Sequence, residues 1–141
     1  MFFEDHELID LKAIFGDVKF YEFGIEALSY NLNESDPQVT IEIGHYSQPE
    51  TVRITFKGVY YHSTMSESFI FMNDEDNWEM DTFIAKAKSS ELIPFVASYT
   101  LLGAEHVVKL SELNHYRVYA QDHFIDVVCT EKPSIVLTNA T

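Results

Sequence analysis

From Val39 the chain alternates, with Val39, Ile41 and Ile43 apolar and Thr40, Glu42 and Gly44 polar or small between them. A period of two sends successive side chains to opposite faces of a strand, so one face meets a core and the other meets water. Val52, Ile54 and Phe56 repeat the pattern against Arg53, Thr55 and Lys57; Gly58 permits a bulge, and Val59 to His62 carries the run on. Upstream, Phe20-Tyr21-Glu22-Phe23 and Ile25 to Leu32 read as a strand pair or as one strand bent at Gly24. Phe69-Ile70-Phe71-Met72, ended by Asn73, reads as a further strand. Together these segments predict an antiparallel meander. Tyr116-Arg117-Val118-Tyr119, the turn residues Gln121-Asp122, and Phe124 to Cys129 predict a β-hairpin, with a last strand from Ser134 to Leu137 after Pro133.

Elsewhere the period lengthens. Leu8, Leu11, Ile14 and Phe15 fall at helical spacing within Glu4 to Phe15, acids occupy the first turns, and Gly16 follows as a stop. Asp76 with Glu79 three residues on resembles a loose capping box, and Trp78, Phe83, Ile84 and Ala87 then fall roughly along one face. Ser89 or Ser90 is placed to cap a short helix through Leu92, Phe95, Val96 and Tyr99, with Pro94 near its first turn. The order helix, sheet, helices, sheet predicts an α+β fold, in which a meander and a C-terminal hairpin pack against two or three helices. No repeat or Gly/Ser linker interrupts the 141 residues, so residues 1–141 read as a single domain.

Composition supports a folded chain, since 46% of residues are hydrophobic and 14% aromatic, well above what an acidic disordered tail carries. The informative quantity is charge. Twenty-three acids against nine Lys and Arg leave a formal net of −14. No Lys or Arg occurs from Phe20 to Val52 or from Gly58 to Ala85. Such a surface repels nucleic acid and anionic membrane and steers cationic partners inward. The opening residues Met1-Phe2-Phe3-Glu4-Asp5-His6-Glu7 are acidic where a signal peptide is basic, and no apolar run reaches the length of a membrane span. The expectation is a cytoplasmic protein with no membrane or nucleic-acid partner. Its lone thiol, Cys129, sits in an apolar Val-Val-Cys run and reads as a packing residue.

Candidate chemistry adds little. The six histidines, His6, His45, His62, His106, His115 and His123, are singletons without metal-ligand spacing, so no metal and no cofactor are expected. No nucleophile, phosphate-loop or dinucleotide motif occurs, and the nearest triad material is His62 with Ser63 and Ser66. The reading is therefore not an enzyme. Candidate partner-binding residues are Asp74, Glu75, Asp76, Trp78, Glu79 and Asp81, with Tyr60 and Tyr61. Five acids within eight residues exceed what a helix start needs, and a Trp among them is the kind of side chain that anchors an interface. The aromatic strands Tyr60-Tyr61-His62 and Tyr116 to Tyr119 place rings on both faces, one for the core and one for a partner or a cavity.

The hairpin Asn114-His115-Tyr116-Arg117-Val118-Tyr119 with Asp122 to Val128 (Asp-His-Phe-Ile-Asp-Val-Val) resembles a segment of small bacterial immunity proteins encoded beside polymorphic or contact-dependent toxins. Size, acidity and the absence of catalytic motifs fit that class too. The resemblance implies an intracellular protein that binds and neutralises a cognate toxin domain, often a basic nuclease, and it transfers no individual residue. Two other readings stay open: a small-ligand-binding domain with an apolar cavity, and an enzyme whose site is assembled from scattered residues.

Overall fold

The computed structural model describes residues 5–9, 23–31, 36–45, 50–66, 83–99, 110–120 and 123–139. Nine strands appear among these residues: β1 (Asp5–Leu8), β2 (Phe23–Asn31), β3 (Gln38–His45), β4 (Glu50–Lys57), β5 (Val59–Ser66), β6 (Ile84–Ser89), β7 (Asn114–Ala120), β8 (His123–Cys129) and β9 (Ser134–Asn139). One α-helix, α1 (Leu92–Tyr99), follows β6, and a single 3-10 turn at Leu110–Glu112 precedes β7. All strand pairs are antiparallel. They form a four-stranded sheet in the order β2-β3-β4-β9 and a five-stranded sheet in the order β1-β6-β7-β8-β5.

The alternating segments build the space between the sheets. Val39, Ile41, Ile43, Val52, Ile54 and Phe56 from the four-stranded sheet belong to one buried cluster with Ile84, Tyr116, Val118, Ile125, Val127 and Cys129 from the other. The rings of Phe56 and Tyr116 meet across this interface, 5.7 Å apart and tilted by 50°. Burial pushes the Tyr116 phenol up to about 12 and the Cys129 thiol up to about 12, which suits groups that serve as packing. The chain passes from one sheet to the other at Gly58, whose φ is 62°, a left-handed conformation that glycine adopts at little cost.

The expected α+β class is thus overturned. The described chain is mostly β, two antiparallel sheets facing one another, with α1 as its one α-helix rather than two or three packed on a sheet. Two segments account for the difference. The expected helix from Glu4 begins instead as β1, because four residues beside the free edge of β6 gain ladder hydrogen bonds, and Ile9 N–H continues them to the Ile84 carbonyl at 3.1 Å. The remainder of that expected helix lies outside the described residues. Phe83, Ile84 and Ala87, assigned to the second helix, enter or form β6. Phe83, Ile84 and Ala85 are buried in succession, and a helix with one inward face does not bury three consecutive residues against a single neighbour. The entry of a strand held between β1 and β7 does, with Phe83, Ile84 and Ala85 buried and the rest of β6 grading to exposed. The strands β2, β3 and β4, the hairpin, the final strand and α1 match their expected positions. Val59 to His62, expected to carry the β4 run on past a bulge at Gly58, instead opens β5 of the other sheet, and Phe20 to Glu22 and the strand expected at Phe69–Met72 lie outside the described residues.

Candidate functional site

Among the described residues two places concentrate polar or aromatic chemistry. The first lies on the face of the five-stranded sheet that points away from the other sheet. The two-residue connection between β7 and β8 sets Arg117 opposite Asp126 and His115 opposite Val128. Arg117 grips the Asp126 carboxylate twice, Nε donating to Oδ1 at 2.9 Å and Nη2 to Oδ2 at 3.1 Å. His115 Nε2 reaches the same Oδ1 at 2.7 Å, and its Nδ1 lies 2.8 Å from Ser90 Oγ. With Nε2–H donating to the carboxylate, a neutral ring leaves Nδ1 to accept the Ser90 hydroxyl proton. Burial by itself would raise the Asp126 carboxyl, but the hydrogen bonds from His115 and Arg117 and the Arg117 charge hold it below the usual carboxylate range.

The order hydroxyl, imidazole, carboxylate is that of an acyl-transfer relay, and sequence reasoning missed it. The nearest expected triad, His62 with Ser63 and Ser66, is not the one assembled. His62 and Ser63 are adjacent in β5 and pair with the adjacent residues Val127 and Asp126, so they point to opposite faces. Other commitments bear on the Ser90 chain. Its hydroxyl also caps α1, accepting from the Ile93 N–H at 3.3 Å. The His115 side chain is wholly buried, 0% exposed. Arg117 already neutralises Asp126, which leaves little field to stabilise an imidazolium. A cleft of ≈ 410 Å³ opens beside Ser90 and His115, lined also by Glu7, Lys86, Lys88 and Asn114.

The second place is a hollow of ≈ 120 Å³ where β2, at the edge of one sheet, approaches β5, at the edge of the other. Tyr30, Tyr60, Tyr61 and His62 line it, together with Pro37, Val39 and Val59. Tyr30 stands opposite Val39 in the ladder, on the inward side of the last ladder pairs of β2, where the sheet edge leaves it 56% exposed. Its ring lies 5.2 Å from that of His62, tilted by 41°. The Val59 N–H donates to the Pro37 carbonyl at 3.1 Å and ties the two sheets together at this point.

Of the expected partner-binding residues, Tyr60 and Tyr61 both line this hollow, Tyr60 within the irregularity of the β5 ladder between Val59 and Tyr61 and Tyr61 at its end. Tyr60 is 38% exposed, while Tyr61 is half-buried and leans on the small cluster of Leu92, Val96, Leu113 and Val128 beneath α1. Asp74, Glu75, Asp76, Trp78, Glu79 and Asp81 lie outside the described residues. Tyr30 was not foreseen, because in the alternation it reads as one more inward strand residue and nothing local marks it as the edge. Among the described residues no group of three or more His, Cys, Asp or Glu is placed to hold a metal ion. None of the described helices is long and apolar enough to cross a membrane. Compared with known protein families, curated proteins and solved structures, the chain matches none.

Proposed function

We propose that this chain is a protein-binding domain of the immunity type, which docks on a cationic toxin domain inside the cell and neutralises it. The observation that carries the reading is the pair of exposed tyrosines, Tyr30 and Tyr60, around a hollow on a chain of net charge −14. Large aromatic side chains held half out of the surface are the usual anchors of an interface. A strong opposite charge speeds the encounter and orients it. Binding is preferred to catalysis because the Ser90–His115–Asp126 chain is spent on the fold: it caps a helix, crosses two strands and is neutralised by Arg117. It is preferred to a small-ligand cavity because the space between the sheets is filled by aliphatic and aromatic side chains.

Co-expression tests the proposal. The chain is produced together with the product of each neighbouring gene, any that arrests growth when made alone being the candidate toxin, and growth and co-purification are followed. The expected result is rescue of growth and a complex that survives purification, with Tyr30→Ala plus Tyr60→Ala losing ~2 kcal/mol or more of binding free energy. Growth arrest undiminished by the chain, with no complex formed, would overturn the proposal.

A further inference from the structure

We infer that the hollow between Tyr30, Tyr60 and His62 is a socket for one cationic side chain, arginine or lysine, presented by the partner. The inference rests on the protein-binding reading above and gives it a chemistry. Aromatic rings carry negative charge on their faces, so a hollow walled by several rings attracts a cation and its methylene stem together. The lining here is suited to both parts. Tyr30, Tyr60 and His62 supply rings, Pro37, Val39 and Val59 supply apolar surface, and no Lys or Arg among the described residues lines the hollow.

Rim and walls are also fixed. Gln38 lines the hollow, and its side-chain amide donates to the Asp36 carboxylate at 2.8 Å. His62 backs the Tyr30 ring at 5.2 Å, and the Val59 to Pro37 hydrogen bond holds the start of β5 against the residue just before β3. A site walled in this way loses little freedom when filled. The net charge of −14 raises the local concentration of any cation around it. An uncharged apolar side chain would pack on the same surfaces but would gain nothing from the negative charge of the ring faces.

The test uses the whole protein and three small probes: N-acetyl-arginine methylamide, its citrulline analogue, which keeps the shape without the charge, and its norleucine analogue. Binding is followed by NMR through the Tyr30, Tyr60 and His62 ring signals at near-physiological salt. The arginine probe is expected to bind saturably, about fivefold or more tighter than citrulline, with its side-chain methylene signals shifted upfield by the rings. Tyr30→Leu and Tyr60→Leu, which keep bulk and charge at partly exposed positions, are each expected to abolish that preference. Equal binding of arginine and citrulline, tighter binding of norleucine, or an arginine preference that survives both substitutions would overturn the socket. If the socket fails while co-expression still protects, the binding proposal stands with a different contact. If arginine fills the socket while no toxin is neutralised, the immunity reading is the one that fails.

Discussion

Asp126 occupies a position where an unpaired carboxylate would be costly, and two donors on the neighbouring strand are what make it tolerable. His115 and Arg117 lie two residues apart on β7, so both project from the same face towards it. Removing one member of a buried charged pair leaves the other desolvated without its partner, at a cost of ~3–5 kcal/mol. Asp126→Asn is therefore expected to destabilise the fold by about that amount at neutral pH, measured by urea unfolding. The pH dependence follows from the lowered carboxyl. Its value in the folded protein lies below that of the unfolded chain, about 3.9. The stabilisation is thus complete above that pH and is lost as pH falls through the folded value. The gap between wild type and Asp126→Asn should narrow steadily below pH ~4, and a gap unchanged down to pH 2 would mean that ionisation of Asp126 is not its source. Part of this arrangement was legible in the sequence. A hairpin turning at Gln121-Asp122 sets Arg117 opposite Asp126, so the pair follows from the turn once the register is counted. Ser90 was not legible as a partner, because it follows β6, a distant segment that only the β6–β7 pairing brings beside His115.

At the scale of elements, legibility followed the covering of each segment. Strands β3 and β4 are half-buried and alternate cleanly, and β7, β8 and β9 are bounded by turn residues, so period and punctuation agree. Helix α1 was readable from its capping serine and from Leu92 and Val96 on one face. Strand β1 failed because four residues carry too little pattern to tell a strand from a first helical turn. Strand β6 failed because its entry, Phe83-Ile84-Ala85, is an unbroken buried run, and in the sequence such an apolar run reads equally well as a helix segment or a strand. The joint between the sheets offers the clearest test. Gly58 has a φ of 62°, its carbonyl accepts the Thr130 N–H at 3.1 Å, and a Cβ added there would collide with the Thr130 side-chain oxygen. Gly58→Ala is expected to cost at least the ~1–2 kcal/mol of placing an L side chain in the left-handed region, with the denaturant slope unchanged. Undiminished stability would show that the crossover relaxes without strain, and that the left-handed bend is not needed to bring β5 under its partner sheet.

For the whole molecule, one quantity acts in two directions. A net charge of −14 on a 16.3 kDa chain is self-repulsive, and compaction brings those charges closer. The same repulsion protects the molecule. Strands β1, β2, β5 and β9 end their sheets with unpaired edges among the described residues, and like charge discourages those edges from pairing between copies. Salt separates the two roles, since the screening length falls from ~30 Å at 0.01 M to ~8 Å at 0.15 M. Over that range the folded chain should gain stability, each ~1 kcal/mol of relieved repulsion raising the melting temperature by about 3 °C for a domain of this size. Association with a basic partner should change the opposite way, its on-rate falling by about tenfold or more while dissociation, governed by the anchored tyrosines, barely moves. Calorimetric melting and stopped-flow binding at the same salt concentrations check both halves. A melting temperature that rises while the on-rate holds constant would mean that the acidity serves solubility and not recognition, and the contact would then rest on the aromatic hollow without electrostatic steering.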